Sequence, residues 1–166
     1  PMRSILKKIK LIAMDVDGVM TDGRIVFDDL GRELKFFDVK DGLAISLARR
    51  GGLKTAVISA RGCRAVRARM KDLKIDKVYL DAYPKIKAFE KMLSALGVTG
   101  QEVCFIGDDL PDLEILGRVG MAACPADAAS EVRAVADLVA KSKGGRGAVR
   151  EIIEKILKAQ GAWPVK

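Results

Sequence analysis

Short apolar runs recur along this chain, each followed by a stretch of helical periodicity, and few folds accommodate that alternation. Residues 9–14, 53–59, 77–80, 103–106 and 121–123 have the length and the Ile, Val, Leu and Ala content of buried strands. Residues 41–50, 63–72, 84–96 and 110–117 carry helical spacing, and the stretch near 127–135 reads as one more helix. Within 84–96, Ile86, Phe89, Leu93 and Leu96 fall on one face, Pro84 suits the first turn and Gly97 the end. Val149, Ile152, Ile153, Ile156 and Leu157 form a similar stripe in a C-terminal helix and tail over about residues 146–166. Strands alternating with helices form a parallel sheet with right-handed crossovers. The expectation is an α/β fold in one domain over residues 1–166, with no repeat, low-complexity tract or linker.

The first apolar run ends in Asp15-Val16-Asp17-Gly18-Val19. Side chains along a strand alternate faces, so Asp15 and Asp17 point the same way. At the carboxyl end of a buried parallel strand they would meet in the crevice where open α/β sheets bind ligands. Two carboxylates that close repel unless a cation joins them or a pKa shifts, and hard oxygen donors favour Mg²⁺. The same residues also suit a plain turn. A second acidic group, Gly107-Asp108-Asp109-Leu110-Pro111-Asp112, follows residues 103–106 in the same way. Two neighbouring strands ending in acids gather three or more carboxylates around one point, as a Mg²⁺ site requires. Asp112 reads equally as a first-turn helix acid favoured by the dipole.

One segment breaks the strand-helix alternation. Residues 24–27 and 34–37 flank the turn-rich Asp28-Asp29-Leu30-Gly31-Arg32, the pattern of a β-hairpin. Placed directly after the Asp15–Asp17 turn, a hairpin over about residues 23–38 projects over the carboxylates as a flap. Two further strand ends carry candidate phosphate ligands. Ser59 closes the run 53–59 and suits either a phosphate oxygen or an N-cap. Lys85 opens the helix after 77–80 and suits either a phosphate or solvent, with Lys87 as its neighbouring alternative.

Composition narrows the chemistry. There is no histidine, so a general acid or base must be Asp, Glu, Lys, Tyr or Cys. Cys63, Cys104 and Cys124 cannot all pair within one chain and form no CxxC, which predicts reduced thiols. The formal charge of +8 comes from dispersed Lys and Arg without interleaved aromatics, a poor match to nucleic-acid binding. No apolar run approaches a membrane span, and the expected location is the cytoplasm.

Taken in chain order, Asp15-x-Asp17, Ser59, Lys85 and Gly107-Asp108-Asp109-x-x-Asp112, all at strand ends, resemble the four motifs of the haloacid dehalogenase superfamily of phosphohydrolases. The resemblance covers essentially the whole chain. It implies a Rossmann-like three-layer α/β/α fold and a phosphoaspartyl mechanism. Asp15 would be the nucleophile. Asp17 would protonate the leaving oxygen and then deprotonate the water that clears the intermediate. Mg²⁺ would be held by the Asp15 carboxylate, the Asp17 backbone carbonyl and Asp108, with Asp112 and Asp109 supporting from outside. Ser59 and Lys85 would bind the transferring phosphoryl oxygens.

The intervals Gly18 to Ser59 and Ser59 to Lys85 are too short for a separate cap domain, so the fold is capless with a hairpin flap. Residues 15–23, 37–42 and 144–151 are similar to the branch of phosphatases acting on 3-deoxy-D-manno-octulosonate 8-phosphate. That resemblance implies a phosphorylated sugar acid as substrate, bound by Lys40, Arg61 and Arg146. It also implies a homotetramer whose neighbouring subunits complete each active site, with residues 161–164 placed to lie against a neighbour. The chain has Ser59-Ala60-Arg61 where Thr-Gly-Arg is usual in the branch, which keeps the hydroxyl. Phosphatases for the nine-carbon ketodeoxynonulosonate or N-acylneuraminate 9-phosphates look similar in motifs, and a non-catalytic assembly module is the remaining alternative.

Overall fold

The run at 9–14 becomes the strand β1, and everything else is arranged around it. The computed structural model describes residues 2–164. Their helices, in chain order, are α1 (Met2–Lys8), α2 (Val39–Arg50), α3 (Arg64–Asp72), α4 (Lys85–Leu96), α5 (Leu113–Leu116), α6 (Ser130–Val135) and α7 (Ala148–Ala159). The strands are β1 (Leu11–Met14), β2 (Val26–Phe27), β3 (Glu33–Leu34), β4 (Lys54–Ile58), β5 (Lys77–Tyr79), β6 (Val103–Ile106), β7 (Met121–Cys124) and β8 (Leu138–Val139). Six of them form one parallel sheet in the order β5-β4-β1-β6-β7-β8, while β2 and β3 pair antiparallel as the predicted hairpin.

Every residue of β1, β6 and β7 is buried, as expected for strands covered on both faces. Alternation divides them between two layers. Ile12, Met14, Val57, Cys104 and Ile106 pack with α1, α2, α3 and α7, whereas Leu11, Ala13, Ala56, Ile58, Val103 and Phe105 pack with α4, α5 and α6. The result is the three-layer α/β/α arrangement. Its register sets Met14 beside Val57 on one side and Ile106 on the other, so the carboxyl ends of β4, β1 and β6 finish level.

Several elements differ from the sequence expectation. Helix α1 buries a single side chain, Leu6, and so has no stripe to read, and β8 has only two residues. The stretch 110–117 splits into a 3₁₀ turn at Leu110–Asp112 and the short α5, and 127–135 contracts to α6. On α4 the buried face is Lys85, Ala88, Phe89 and Met92, with Ile86, Leu93 and Leu96 at its margin. The end of the chain folds onto its own core. The Gln160 side-chain amide donates to the carbonyls of Leu6 and Ile9, each at 2.9 Å, and the Arg150 guanidinium lies 4.8 Å from the centre of the Trp163 ring. Residues 1, 165 and 166 of the expected domain and tail lie outside the described residues. Among the described residues no helix is long and apolar enough to cross a membrane.

Helix α7 begins at Gly147, which has no side chain with which to cap it. Asp41 of α2 supplies the cap from across the layer, accepting from the Arg150 N–H at 2.8 Å and the Gly147 N–H at 3.4 Å. Burial pushes the Asp41 carboxyl up to about 6, against the pull of these two N–H groups. A carboxyl held above its unfolded value contributes stability below pH 4 that is lost as pH rises through about 6. Wild type should therefore lose roughly 2 kcal/mol relative to Asp41→Asn between pH 4 and pH 7. Urea unfolding of both proteins across that range checks it, and parallel curves would show that Asp41 keeps an ordinary carboxyl.

Candidate active site

Asp15 lies one residue beyond β1, anchored by its own N–H donating to the Ile106 carbonyl at 3.0 Å. Directly after it the chain turns tightly. The Val16 carbonyl accepts from the N–H groups of Val19, Met20 and Thr21, and the Thr21 hydroxyl oxygen accepts from Gly18 and Gly23. Gly18 sits at φ +85°, and any β-carbon there would collide with the Asp108 carboxylate. Glycine is thus required twice, for the left-handed turn and for the close approach of the second acidic loop. From the far end of the chain the loop at 144–147 closes on this turn. Gly145 N–H donates to the Val19 carbonyl at 3.0 Å, and a β-carbon on Gly144 would strike the Gly18 carbonyl.

The strand ends converge as expected on a cleft of about 290 Å³ lined by Asp15, Asp17, Ser59, Arg61, Lys85 and Asp108. Lys85 is buried there, while its neighbour Lys87 is exposed. The Lys85 ammonium lies 2.5 Å from Asp15 Oδ2 and 2.7 Å from Asp112 Oδ1. Burial alone would lower its pKa, but the two carboxylates outweigh that and hold it above the ordinary lysine value. Asp112 has no exposed surface. Its second oxygen accepts from the N–H groups of Asp108 and Asp109 at 3.0 and 3.4 Å, closing a capping box with Asp109. Asp112 thus caps the turn, as its reading as a first-turn acid expects, and its other oxygen anchors Lys85. Ser59 is buried, with its N–H donating to the Tyr79 carbonyl and its hydroxyl oxygen accepting from the Arg61 N–H at 3.3 Å.

Carboxylate oxygens of Asp15, Asp108 and Asp112 lie within 4.8 Å of one another, and among the described residues one ammonium touches them. Two of these carboxyls are held in their neutral form more readily than usual, chiefly by burial. Burial and then the charges of Asp15 and Asp112 push Asp108 up to about 8, and burial, partly offset by Lys85, holds Asp15 above the usual carboxylate range. An all-oxygen donor set with uncompensated charge fits a hard divalent cation. The Asp17 side chain stands outside this group. Its Oδ1 lies 2.5 Å from the ammonium of Lys35, carried on the flap.

Lys35 was not legible as a site residue, nor was Glu33, which lies 2.7 Å from Lys35 and 3.5 Å from the Arg61 guanidinium. The available signal was alternation, since Glu33 and Lys35 interleave with Leu34 and Phe36. Lys40 and Arg146 are not brought to the Asp15 cleft within one chain. They line a separate hollow of about 380 Å³ with Arg150, Lys155 and Lys158 of α7, whose positive charge Glu151 and Glu154 partly offset.

A parallel sheet gathering an Asp-x-Asp turn, a buried serine, a buried lysine and a Gly-Asp-Asp-x-x-Asp turn at its strand ends has the layout of a haloacid dehalogenase-like hydrolase. The family of that description matches residues 81–153. KdsC, the 3-deoxy-D-manno-octulosonate 8-phosphate phosphatase of Escherichia coli K12, is 38% identical over 155 residues, 93% of this chain and 82% of that protein. The Moraxella catarrhalis phosphatase solved with a magnesium ion, a phosphate ion and KDO has a TM-score of 0.95 and 37% identity, covering 98% of this chain and 93% of that one. The cobalt-bound Haemophilus influenzae phosphatase has a TM-score of 0.93 and 36% identity, covering 97% and 96%. The chain belongs to the KdsC family of haloacid dehalogenase-like hydrolases.

Removing the Lys85 cation leaves two buried carboxylates, Asp15 and Asp112, facing each other and the half-buried Asp108. Lys85→Met should cost roughly 3 kcal/mol at pH 8 in metal-free buffer, and less at pH 5, where a carboxyl can take up a proton. Denaturant unfolding at the two pH values measures it, and equal losses would mean that the carboxylates do not sense the ammonium.

Proposed function

We propose that this protein is a Mg²⁺-dependent phosphatase that hydrolyses 3-deoxy-D-manno-octulosonate 8-phosphate through an aspartyl-phosphate intermediate. The observation that carries the reading is the buried contact of Lys85 with both Asp15 and Asp112 beside Asp108, at the mouth of a parallel sheet. The kinship to phosphatases of that name supports the substrate.

In the first half-reaction an Asp15 carboxylate oxygen attacks phosphorus in line, the bond from phosphorus to the sugar oxygen breaks, and Asp17 delivers a proton to that oxygen. In the second, Asp17 takes a proton from water, the hydroxide attacks the phosphorus of the aspartyl phosphate, and phosphate leaves as the Asp15 carboxylate is restored. Ser59 donates its hydroxyl, and Lys85 its ammonium, to the phosphoryl oxygens in both steps. Asp15, Asp108 and the Asp17 backbone carbonyl would hold Mg²⁺, with Asp112 fixing the Asp108 loop from behind. When bound, the ion supplies positive charge against the phosphoryl oxygens.

Arg61 stands in the cleft and is the sugar-acid contact available within one chain. Lys40 and Arg146 would serve a site only across a subunit boundary, which extends the reading to a homotetramer. The support for association is the exposed apolar side chains of the flap, Ile25, Phe27, Leu34 and Phe36, together with Val39 and Leu43 of α2. Free, buried Cys104 and Cys124 agree with a cytoplasmic location.

Asp15→Asn and Asp17→Asn should each lower kcat by at least about 10³-fold with the fold intact, and chelation should abolish turnover until Mg²⁺ is returned. Phosphate release on a panel of eight- and nine-carbon sugar-acid phosphates, compared by kcat/KM, tests mechanism and substrate together. Undiminished release by Asp15→Asn would end the covalent mechanism, and equal rates across the panel would end the substrate assignment. Light scattering should report a tetramer that Phe27→Glu with Phe36→Glu dissociates with loss of activity. A fully active monomer would remove the shared site.

A further inference from the structure

The hairpin inverts the usual sense of a half-buried strand. Its apolar residues Leu34 and Phe36 face outward, and the charged residues between them, Glu33 and Lys35, face inward. The Lys35 side chain is only 2% exposed, although it belongs to a two-stranded flap outside the main sheet. Withdrawing an ammonium from water is costly unless carboxylates meet it. Two do: Asp17 at 2.5 Å and Glu33 at 2.7 Å. Glu33 in turn reaches Arg61, which itself lines the catalytic cleft. Two acids and two bases thus form one chain of ion pairs from the carboxylate beside the nucleophile, through Lys35 and Glu33 of the flap, to the arginine at the cleft wall.

We propose that Lys35 is a positioning residue for Asp17, joining the seating of the flap to the orientation of the carboxylate that moves the proton. This rests on the reading of Asp17 as the acid-base group. With Oδ1 committed to the Lys35 ammonium, proton transfer falls to Oδ2. The flap must be seated for that to be so, because Lys35 arrives on it. Glu33 keeps Lys35 from leaving Asp17 for solvent, and its contact with Arg61 carries the state of the flap to the wall that meets the sugar acid. A free-standing aspartate rotates among several rotamers, and removing that freedom contributes to rate without adding a contact to substrate.

The distinguishing readout is the dependence on leaving group, measured with the Mg²⁺-loaded full chain. An alkyl phosphate such as the octulosonate 8-phosphate leaves as a poor alkoxide and needs the proton in the first half-reaction. The p-nitrophenolate of p-nitrophenyl phosphate leaves without one. Lys35→Met should lower kcat on the sugar phosphate by about 10²-fold with KM changed less than about threefold, and lower kcat on p-nitrophenyl phosphate by at least about tenfold less. Lys35→Arg, which restores the cation at Asp17, should recover kcat to within about tenfold of wild type. Wild-type kcat in Lys35→Met, a loss confined to KM, or equal losses on both substrates with no recovery in Lys35→Arg would each overturn the proposal. The Asp17→Asn variant separates the two readings. If it turns over the sugar phosphate normally, the acid-base assignment itself falls. If it is inactive while Lys35→Met is not, only the positioning role falls.

Discussion

The fold of this protein is organised around a charge that has to be kept out of water. Lys85 is buried between Asp15 and Asp112, and each of these ions would be costly in a low-dielectric interior without the others. Three separate stretches of chain must therefore arrive together, one after β1, one after β5 and one after β6. A level parallel sheet with β1 flanked by β4 and β6 is what makes that possible. The apolar strands supply the stability, and the register they enforce converts it into distances of 2.5 and 2.7 Å at one point. Among the described residues three carboxylates meet a single ammonium there, and burial together with the charges of Asp15 and Asp112 drives Asp108 up to about 8, which suits a site that receives further positive charge.

The flap answers a different problem. Along its second strand the inward side chains, Glu33 and Lys35, are charged because they meet Asp17 and the cleft, and Leu34 and Phe36 between them are exposed. In a strand covering a hydrophobic core the order would be reversed. A hairpin of two residues per strand has little stability of its own, and here it is held by ion pairs to the site that it covers.

Most of the sheet and the acids at its edge could be read from sequence, because period and length identify buried strands and because two acidic turns after such strands are rarely incidental. Ser59 and Lys85 were readable only as members of a series, since a lone serine or lysine at a strand end has ordinary structural uses. What escaped was decided by tertiary contact. Helix α1 shows no stripe because it buries one residue, and β8 is two residues joined to a sheet edge. Asp41 looked like part of a motif and proved to be the cap of a helix more than a hundred residues away. Glu33 and Lys35 carry no signal of their own within the hairpin pattern, and only the folded chain brings them against Asp17 and Arg61. Lys40 and Arg146 were read by motif as sugar-acid contacts with Arg61, yet within one chain they lie together away from the cleft that Arg61 lines.

The contact between Gly144 and the turn at Gly18 bears on how the protein is made. Asp15 and its turn leave the ribosome before Lys85, Asp108 and the loop at 144–147 that walls the turn. Between those points a nascent chain carries Asp15 without the cation, the acids or the backbone wall that define its setting. That setting is complete only when residues 144–147 pack against the Gly18–Thr21 carbonyls and α7 covers the sheet behind them.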